Sequence, residues 1–471
     1  MSSQQIQSSR QRRIATLATI SLAAFVPVAI TGAIGSAAGP PTSEPEETAA
    51  TSEPEPIETL LPVADESERV DLDPPTFADP TTIDNALFPV SNLESVVALG
   101  NDEGIPVRVE TSVLSEPIVI DVDGQPVEAL GMMLVEYQSG RILDVAIKWY
   151  AQADDGSVWF LGEDSFTHED GGVVVDADAT WRAGPDRPIT MVMPSDPETG
   201  DVFRPENQPD SIEEYTVTDV GVTFDGPTGP VEGAIVVQEN HTTDGVYEDK
   251  WYAPEYGELS AGVGDSYEAV AIAVPADATE GPVPNELTTL GQGAYAIVDA
   301  AAAQDWESVA ATHTAMQAAW DAYQASYTVP PLLADQMNRA LSTLVGDRLV
   351  PAAVGQNSEG TANAALDVAQ ASLDLQLQFR TPSDIERERI ELWARQLVVD
   401  ANRVEVNPAL TLGDIATLEW VLQRSGAMLD PATFDEVEGL LAELRLAAFD
   451  EDTDAVIELG PSLVNAAARN A

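Results

Sequence analysis

The chain reads as a β-rich domain, an antiparallel sandwich or partly open barrel, followed by a C-terminal helical bundle. Three observations predict this order. Between residues 76 and 278, short alternating runs are separated by turn residues. From Pro284 onward, apolar residues recur at three- and four-residue steps. And Lys148-Trp149-Tyr150-Ala151 returns as Lys250-Trp251-Tyr252-Ala253, each copy inside a β-like run whose alternation puts Lys and Tyr on one face, Trp and Ala on the other.

The N-terminus supplies an address. Arg10, Arg12 and Arg13 precede an uncharged run from Ile14 to about Ala38, the order of a signal peptide; the run is also long enough to stay as a membrane anchor. Residues 1–38 are therefore read as signal peptide or N-terminal anchor. Residues 39–75 are rich in Pro, Glu, Thr and Ser, with Ser43-Glu44-Pro45-Glu46-Glu47 and Ser52-Glu53-Pro54-Glu55-Pro56 as near copies, which predicts a disordered acidic stalk.

Residues 76–278 hold the expected strands Ile105–Leu114, Pro117–Val122, Val127–Tyr137, Ile142–Ala151, Val158–Gly162, Gly172–Asp178, Tyr215–Phe224, Ala234–Glu239, Gly245–Ala253 and Ser266–Val274. Asp123-Gly124, Asp155-Gly156, Asp170-Gly171-Gly172 and Asp244-Gly245 lie between neighbouring runs as hairpin turns. Residues 279–471 predict six or seven helices in a closed bundle. Pro330-Pro331, Pro382, Pro408 and Pro431 each stand near a helix start, where a missing N–H costs nothing.

Composition excludes several functions. No cysteine is present, so there is no disulfide, thiolate metal site or cysteine nucleophile. The formal net charge of −59 makes nucleic acid and anionic lipid poor partners, and leaves a solvated surface, cation capture or adhesion to basic surfaces. The expected contact with a membrane is through the N-terminal segment alone.

One stretch carries a resemblance. Tyr150-Ala151-Gln152-Ala153-Asp154-Asp155-Gly156-Ser157-Val158-Trp159-Phe160-Leu161-Gly162-Glu163-Asp164 resembles the "YAQD-GNVWYFGED" signature of a group of uncharacterised secreted bacterial proteins and lipoproteins. The match runs on through Trp181-Arg182-Ala183-Gly184, Met193-Pro194, Gly200-Asp201-Val202-Phe203-Arg204 and Lys250-Trp251-Tyr252-Ala253-Pro254, about residues 85–259 in all. It departs at Glu255-Tyr256-Gly257-Glu258, where relatives read Gly-Val-Gly. The resemblance implies an exported β-rich module and no particular activity.

The candidate site residues follow from these motifs. Glu163 and Asp164 beside Trp159 and Phe160 have the residue types of a glycosidase pair, with Asp201 or Glu239 as a second acid, but neighbours on a strand point to opposite faces. The competing reading makes one of them the ion-pair partner of Lys148 or Lys250, with Trp149 and Trp251 in the core. These are the only two lysines, which suggests a specific carboxylate contact for each. Of the three histidines, none has HxH or HExxH spacing, so no zinc enzyme is expected. His313 and Met316 share a helix face and form a candidate transition-metal pair, or else sit in a bundle seam. Asp121-Val-Asp123-Gly124 and Asp450 to Asp454 are weak calcium candidates; the latter lacks the EF-hand Gly and Glu, and Asp452 or Thr453 serves instead as a helix cap. Asp367, Gln370, Asp374 and Gln378, with Arg380, Arg387, Arg395 and Arg424, predict a buried polar layer that fixes helix register and includes Arg395 with Asp400 or Asp414. No cofactor is expected, calcium or a transition metal being the one alternative. The reading that results is a non-catalytic ligand- or partner-binding module of the cell envelope or exterior, with an envelope-polymer hydrolase or a metal-binding protein as rivals.

Overall fold

The computed structural model describes residues 60–169, 173–176, 180–184, 187–207, 212–242, 245–348, 357–403, 407–426 and 429–469. The expected signal or anchor segment, most of the stalk and the turns at Asp170-Gly171-Gly172 and Asp244 lie outside them. No described helix is long and apolar enough to cross a membrane.

The expected order, β then α, holds. One 15-stranded sheet is followed by helices. Its strands are β1 (Ser95–Asp102), β2 (Ile105–Val113), β3 (Ile118–Val122), β4 (Gln125–Gln138), β5 (Arg141–Gln152), β6 (Val158–Glu169), β7 (Val173–Asp176), β8 (Trp181–Arg182), β9 (Thr190–Met193), β10 (Val202–Asn207), β11 (Ile212–Asp225), β12 (Pro230–His241), β13 (Val246–Ala253), β14 (Gly257–Val263) and β15 (Ser266–Val274). The hydrogen-bonded path runs β10-β11-β12-β13-β14-β15-β1-β2-β4-β5-β6-β7, and β8 and β9 also pair with β6. Every pairing between these strands is antiparallel.

The sheet curls. Lys148 on β5 and Lys250 on β13 stand six strands apart, roughly 29 Å across a flat sheet at about 4.8 Å per strand. Yet the two ammonium groups repel each other, as Glu163 on β6 and Glu213 on β11 do. Near the far edges, Thr190 Oγ1 on β9 donates to Pro205 O on β10 at 2.7 Å. The sheet is thus wrapped around a concave inner face, with side-chain contact rather than a continuous ladder bridging β9 and β10.

Alternation sorts the two faces. On β4 the buried Ala129, Met133, Val135 and Tyr137 point outward toward the helices, while Leu134 and Glu136 point inward. Burial deepens outward because that is where the second layer packs.

The helices are α1 (Asn285–Ala302), α2 (Trp306–Ser326), α3 (Pro331–Arg348), α4 (Ser358–Gln376), α5 (Pro382–Ala401), α6 (Pro408–Ser425), α7 (Pro431–Phe449) and α8 (Thr453–Ala468). Four begin at the prolines singled out in the sequence. Thr381, Asn407 and Asp430 cap three of those, and Asp452 caps α8. The arrangement differs from one closed bundle: α1 to α4 pack as one four-helix group and α5 to α8 as another, joined where α4 meets α5. Both α4 and α5 are buried over most of their length because they lie in the middle of this double layer.

Residues 60–75, composed like the stalk, lie on the β domain. Leu60 N donates to Thr242 O at 2.7 Å, Arg69 bridges to Val202, and Ala64 N donates to Glu214 Oε1 at 2.9 Å. Backbone pairing of this kind is blind to side-chain composition, so a Pro- and Glu-rich segment hides it.

Candidate functional site

The repeated Lys-Trp-Tyr-Ala motif brings its lysines to the inner face. Lys148 lies directly across β5–β6 from Glu163, whose charge raises the lysine pKa against the opposing effect of burial. Burial pushes the Glu163 carboxyl up, and Lys148 offsets this only in part. Lys250 takes a different partner: its Nζ is 2.8 Å from Glu239 Oε2 on β12 and 3.9 Å from Glu258 on β14. Tyr252 OH donates to Glu258 at 3.0 Å, and Lys250 sits 5.6 Å over the ring of Tyr215.

Asp164 goes to the other face. It accepts from Trp149 Nε1 at 3.0 Å and from Arg182 Nη2 at 2.6 Å, with the Arg182 guanidinium over the Trp149 ring. Glu163 and Asp164 are therefore on opposite sides of one strand, as alternation requires, and no substrate bond fits between them. Asp201 closes a turn instead, accepting from Glu198 N at 2.8 Å. The remaining tryptophans are structural: Trp159 donates to Ser157 Oγ at 2.8 Å, Trp181 packs edge-on to Phe160, and Trp251 packs on Phe224.

The most concentrated chemistry of the inner face joins β11, β12 and β13. Glu213 and His241 are register partners across β11–β12, and Glu239 faces Glu248 across β12–β13. His241 Nδ1 is 3.2 Å from Glu213 Oε1, and its Nε2 is 3.4 Å from Glu248 Oε2 and 3.5 Å from Glu239 Oε2. Burial opposes charge on His241, but hydrogen bonds to Glu213 and Glu248 raise its pKa to about 10. Burial, reinforced by Glu213 and relieved in part by Lys250, pushes the Glu239 carboxyl up to about 8. Against burial, His241 holds Glu213, and Lys250 with His241 holds Glu248, below the usual carboxylate range. Glu213, Glu239 and His241 each offer a ligand atom within 4.8 Å of the others, the one such group of three among the described residues.

Around this cluster the inner face stays acidic. Burial, then Asp144 and Glu268, push Glu136 up to about 8; Glu268 itself is pushed up to about 7 by burial and Glu258. The Glu258 side chain is 41% exposed, so water reaches this face.

Sequence reasoning missed most of this set. In the sequence Glu239 stands out only as a second acid for Glu163. The available signal was period two: Glu213-x-Tyr215, Glu239-x-His241 and Glu248-x-Lys250-x-Tyr252 each place polar groups on one face of adjacent strands. Linear histidine spacing does not detect ligands drawn from three strands.

The helical candidates are placed as follows. His313 is buried on α2, and Met316, fully buried beside it, packs so closely on α1 that a Cβ at Gly293 would come within 2.7 Å of Met316 Cγ. Met316 therefore lies in the α1–α2 seam. In the Asp121–Gly124 turn, the Asp121 carboxylate accepts from Gly124 N at 2.8 Å.

The expected polar layer exists, but it joins the two domains rather than helices alone. Glu110 on β2 accepts from Arg424 at 2.5 Å and from Arg108 at 2.7 Å; Arg108 also reaches Asp374 at 2.6 Å. Arg389, fully buried, bridges Asp374 at 3.0 Å and Glu386 at 2.5 Å. A second knot holds Arg141 of β5 to Asp400 at 2.7 Å and Asp414 at 3.0 Å. Arg395 stays outside it, on Glu391 and over Tyr295.

No protein-family model matches the chain, and no curated protein matches it.

Proposed function

We propose that this is an exported, non-catalytic binding module of the cell envelope whose concave inner sheet face receives a cationic ligand. The observation that carries the reading is the charge of that face. Glu136, Glu163, Glu239, Glu258 and Glu268 line it against Lys148, Lys250 and His241, and burial holds several of these carboxyls well above their ordinary pKa. A cation that displaces those protons gains the attraction of the ionised carboxylates. The split of Glu163 and Asp164 onto opposite faces, each beside its own cation, speaks for binding over glycoside hydrolysis.

Export rests on the arginines at 10, 12 and 13 before the apolar run 14–38. N-terminal sequencing of the protein from the fractionated native host tests it: a start near Gly39 in the exterior fraction, or the intact chain in the membrane fraction, supports export. Recovery of the intact chain from the cytosol overturns it. For the ligand, calorimetry with spermidine as a model cation is expected to show saturable binding that Glu163→Gln weakens by about tenfold, one lost charge contact of roughly 1.4 kcal/mol. Binding unchanged in that folded variant refutes the assignment.

A further inference from the structure

We infer that Glu213, Glu239 and His241, with Glu248 as an added arm, form a binding site for one divalent first-row transition ion such as Zn²⁺. The inference rests on the cation-receptor reading and names a more specific occupant. It stands on geometry. Three neighbouring strands bring three carboxylates around one imidazole, Glu213 3.2 Å from Nδ1, and Glu248 and Glu239 3.4 and 3.5 Å from Nε2. On the single nitrogen Nε2 the separations to Glu248 and Glu239, 3.4 and 3.5 Å, match the roughly 3.4 Å between ligand atoms of a tetrahedral ion at about 2.0–2.2 Å. Glu213, which faces Nδ1, has to swing from within 4.8 Å to join the same ion.

A second observation points the same way. Glu239 is 1% exposed, yet its Oε2 receives no well-directed hydrogen bond, although Lys250 Nζ lies 2.8 Å away. A buried oxygen of this kind, turned toward His241 and off-line from its cation, is poised for a better electrophile. The lysine has somewhere to go: Glu258 is 3.9 Å from the same Nζ, so surrendering Glu239 leaves it paired. Charge also closes. Three carboxylates and one lysine sum to two negative charges when the imidazole is neutral, which one divalent ion cancels.

The donor set selects the metal class. An imidazole with carboxylates suits zinc, manganese or iron, whereas calcium and magnesium favour all-oxygen shells. His241 is buried and lies one residue before Thr242, whose carbonyl accepts from Leu60 N, so the site stands near the end of β12.

The test uses the full chain, first stripped with chelator, then titrated with Zn²⁺ by calorimetry, with Mg²⁺ as comparison. One Zn²⁺ per chain is expected, with Mg²⁺ at least a hundredfold weaker. His241→Gln and Glu239→Gln are each expected to weaken Zn²⁺ at least a hundredfold, and His313→Ala to change nothing. Because either variant can lose the fold, crystals of the wild type grown with Zn²⁺ supply a second readout: an anomalous peak about 2.0–2.1 Å from a His241 nitrogen. No stoichiometric Zn²⁺, a peak at His313, or full binding in folded His241→Gln overturns the inference. If Zn²⁺ fails while spermidine still binds, the metal site falls and the cation-receptor reading stands.

Discussion

Replacing Glu110 by Gln should do more than weaken one contact, because Glu110 is the sheet's carboxylate in a buried network that balances three acids against three arginines. Glu110, Asp374 and Glu386 face Arg108, Arg389 and Arg424, and all six are nearly or wholly excluded from water. The arginines, Arg389 above all, hold the Glu110 carboxyl well below the usual carboxylate range despite its burial. Glutamine keeps the shape but leaves one guanidinium charge uncompensated in the interior. Two unit charges about 4 Å apart interact by roughly 4 kcal/mol at an effective dielectric near 20. Breaking a buried pair from one side costs about 3–5 kcal/mol. The expected loss of unfolding free energy is therefore about 4 kcal/mol, read by urea denaturation followed at tryptophan. Because Glu110 belongs to the sheet and Arg424 to α6, the loss should fall on the joint between domains. The wild type is expected to unfold in one transition and Glu110→Gln in two. A Glu110→Gln, Arg424→Met cycle should return a coupling above about 2 kcal/mol. A Glu110→Gln variant within about 1 kcal/mol of wild type, still unfolding in one step, would refute the reasoning.

Two other consequences follow from the sheet. Glu136 and Glu268 have folded-state pKa values raised to about 8 and about 7, above the ordinary carboxylate value expected for the unfolded chain. Their contribution to stability is complete below that ordinary value, near pH 4.5, and is lost as pH rises toward 8, since the folded state must then ionise buried acids. The melting temperature should fall from pH 6 to pH 8.5, and Glu136→Gln should flatten the fall; an unchanged slope in that variant contradicts the assignment. Gly162 sits at φ +155, with Trp181 O only 2.6 Å from where a Cβ would stand. Gly162→Ala is expected to cost about 3 kcal/mol, from backbone strain and displacement of the β8 backbone, and a loss below about 1 kcal/mol would show that β8 yields freely.

What the sequence made legible was local. Prolines at 331, 382, 408 and 431 mark true helix starts because the rule concerns one residue's own N–H. Most strands with a hairpin turn at one end are visible for the same reason, whereas β1, β8, β9, β10 and β14 are not. β14, Gly257 to Val263, has two glycines and little β-branched character, and is held mainly by its neighbours on both sides. Long-range pairings were the blind spot. Arg389 looks like any other arginine of its helix, because its meaning comes from Glu110 and Asp374, brought in by other elements. Arg141 likewise reads as a turn residue until α5 and α6 set Asp400 and Asp414 beside it.

The two Lys-Trp-Tyr-Ala copies show how far a motif reaches before topology takes over. Each puts its lysine on the inner face and its tryptophan in a packed outer layer, which alternation alone dictates. The partner is a matter of register. In β5 the acid directly opposite belongs to β6, so Lys148 faces Glu163. In β13 the residues opposite Lys250 are Val237 and Ala261, neither charged, so the lysine reaches diagonally to Glu239. That diagonal step sets Glu239 between Lys250 and His241, and His241 between Glu239 and Glu213. One motif therefore gives a cross-strand charge pair on one side of the sheet and a converging cluster on the other. The difference lies in which residue each neighbouring strand presents, two positions away.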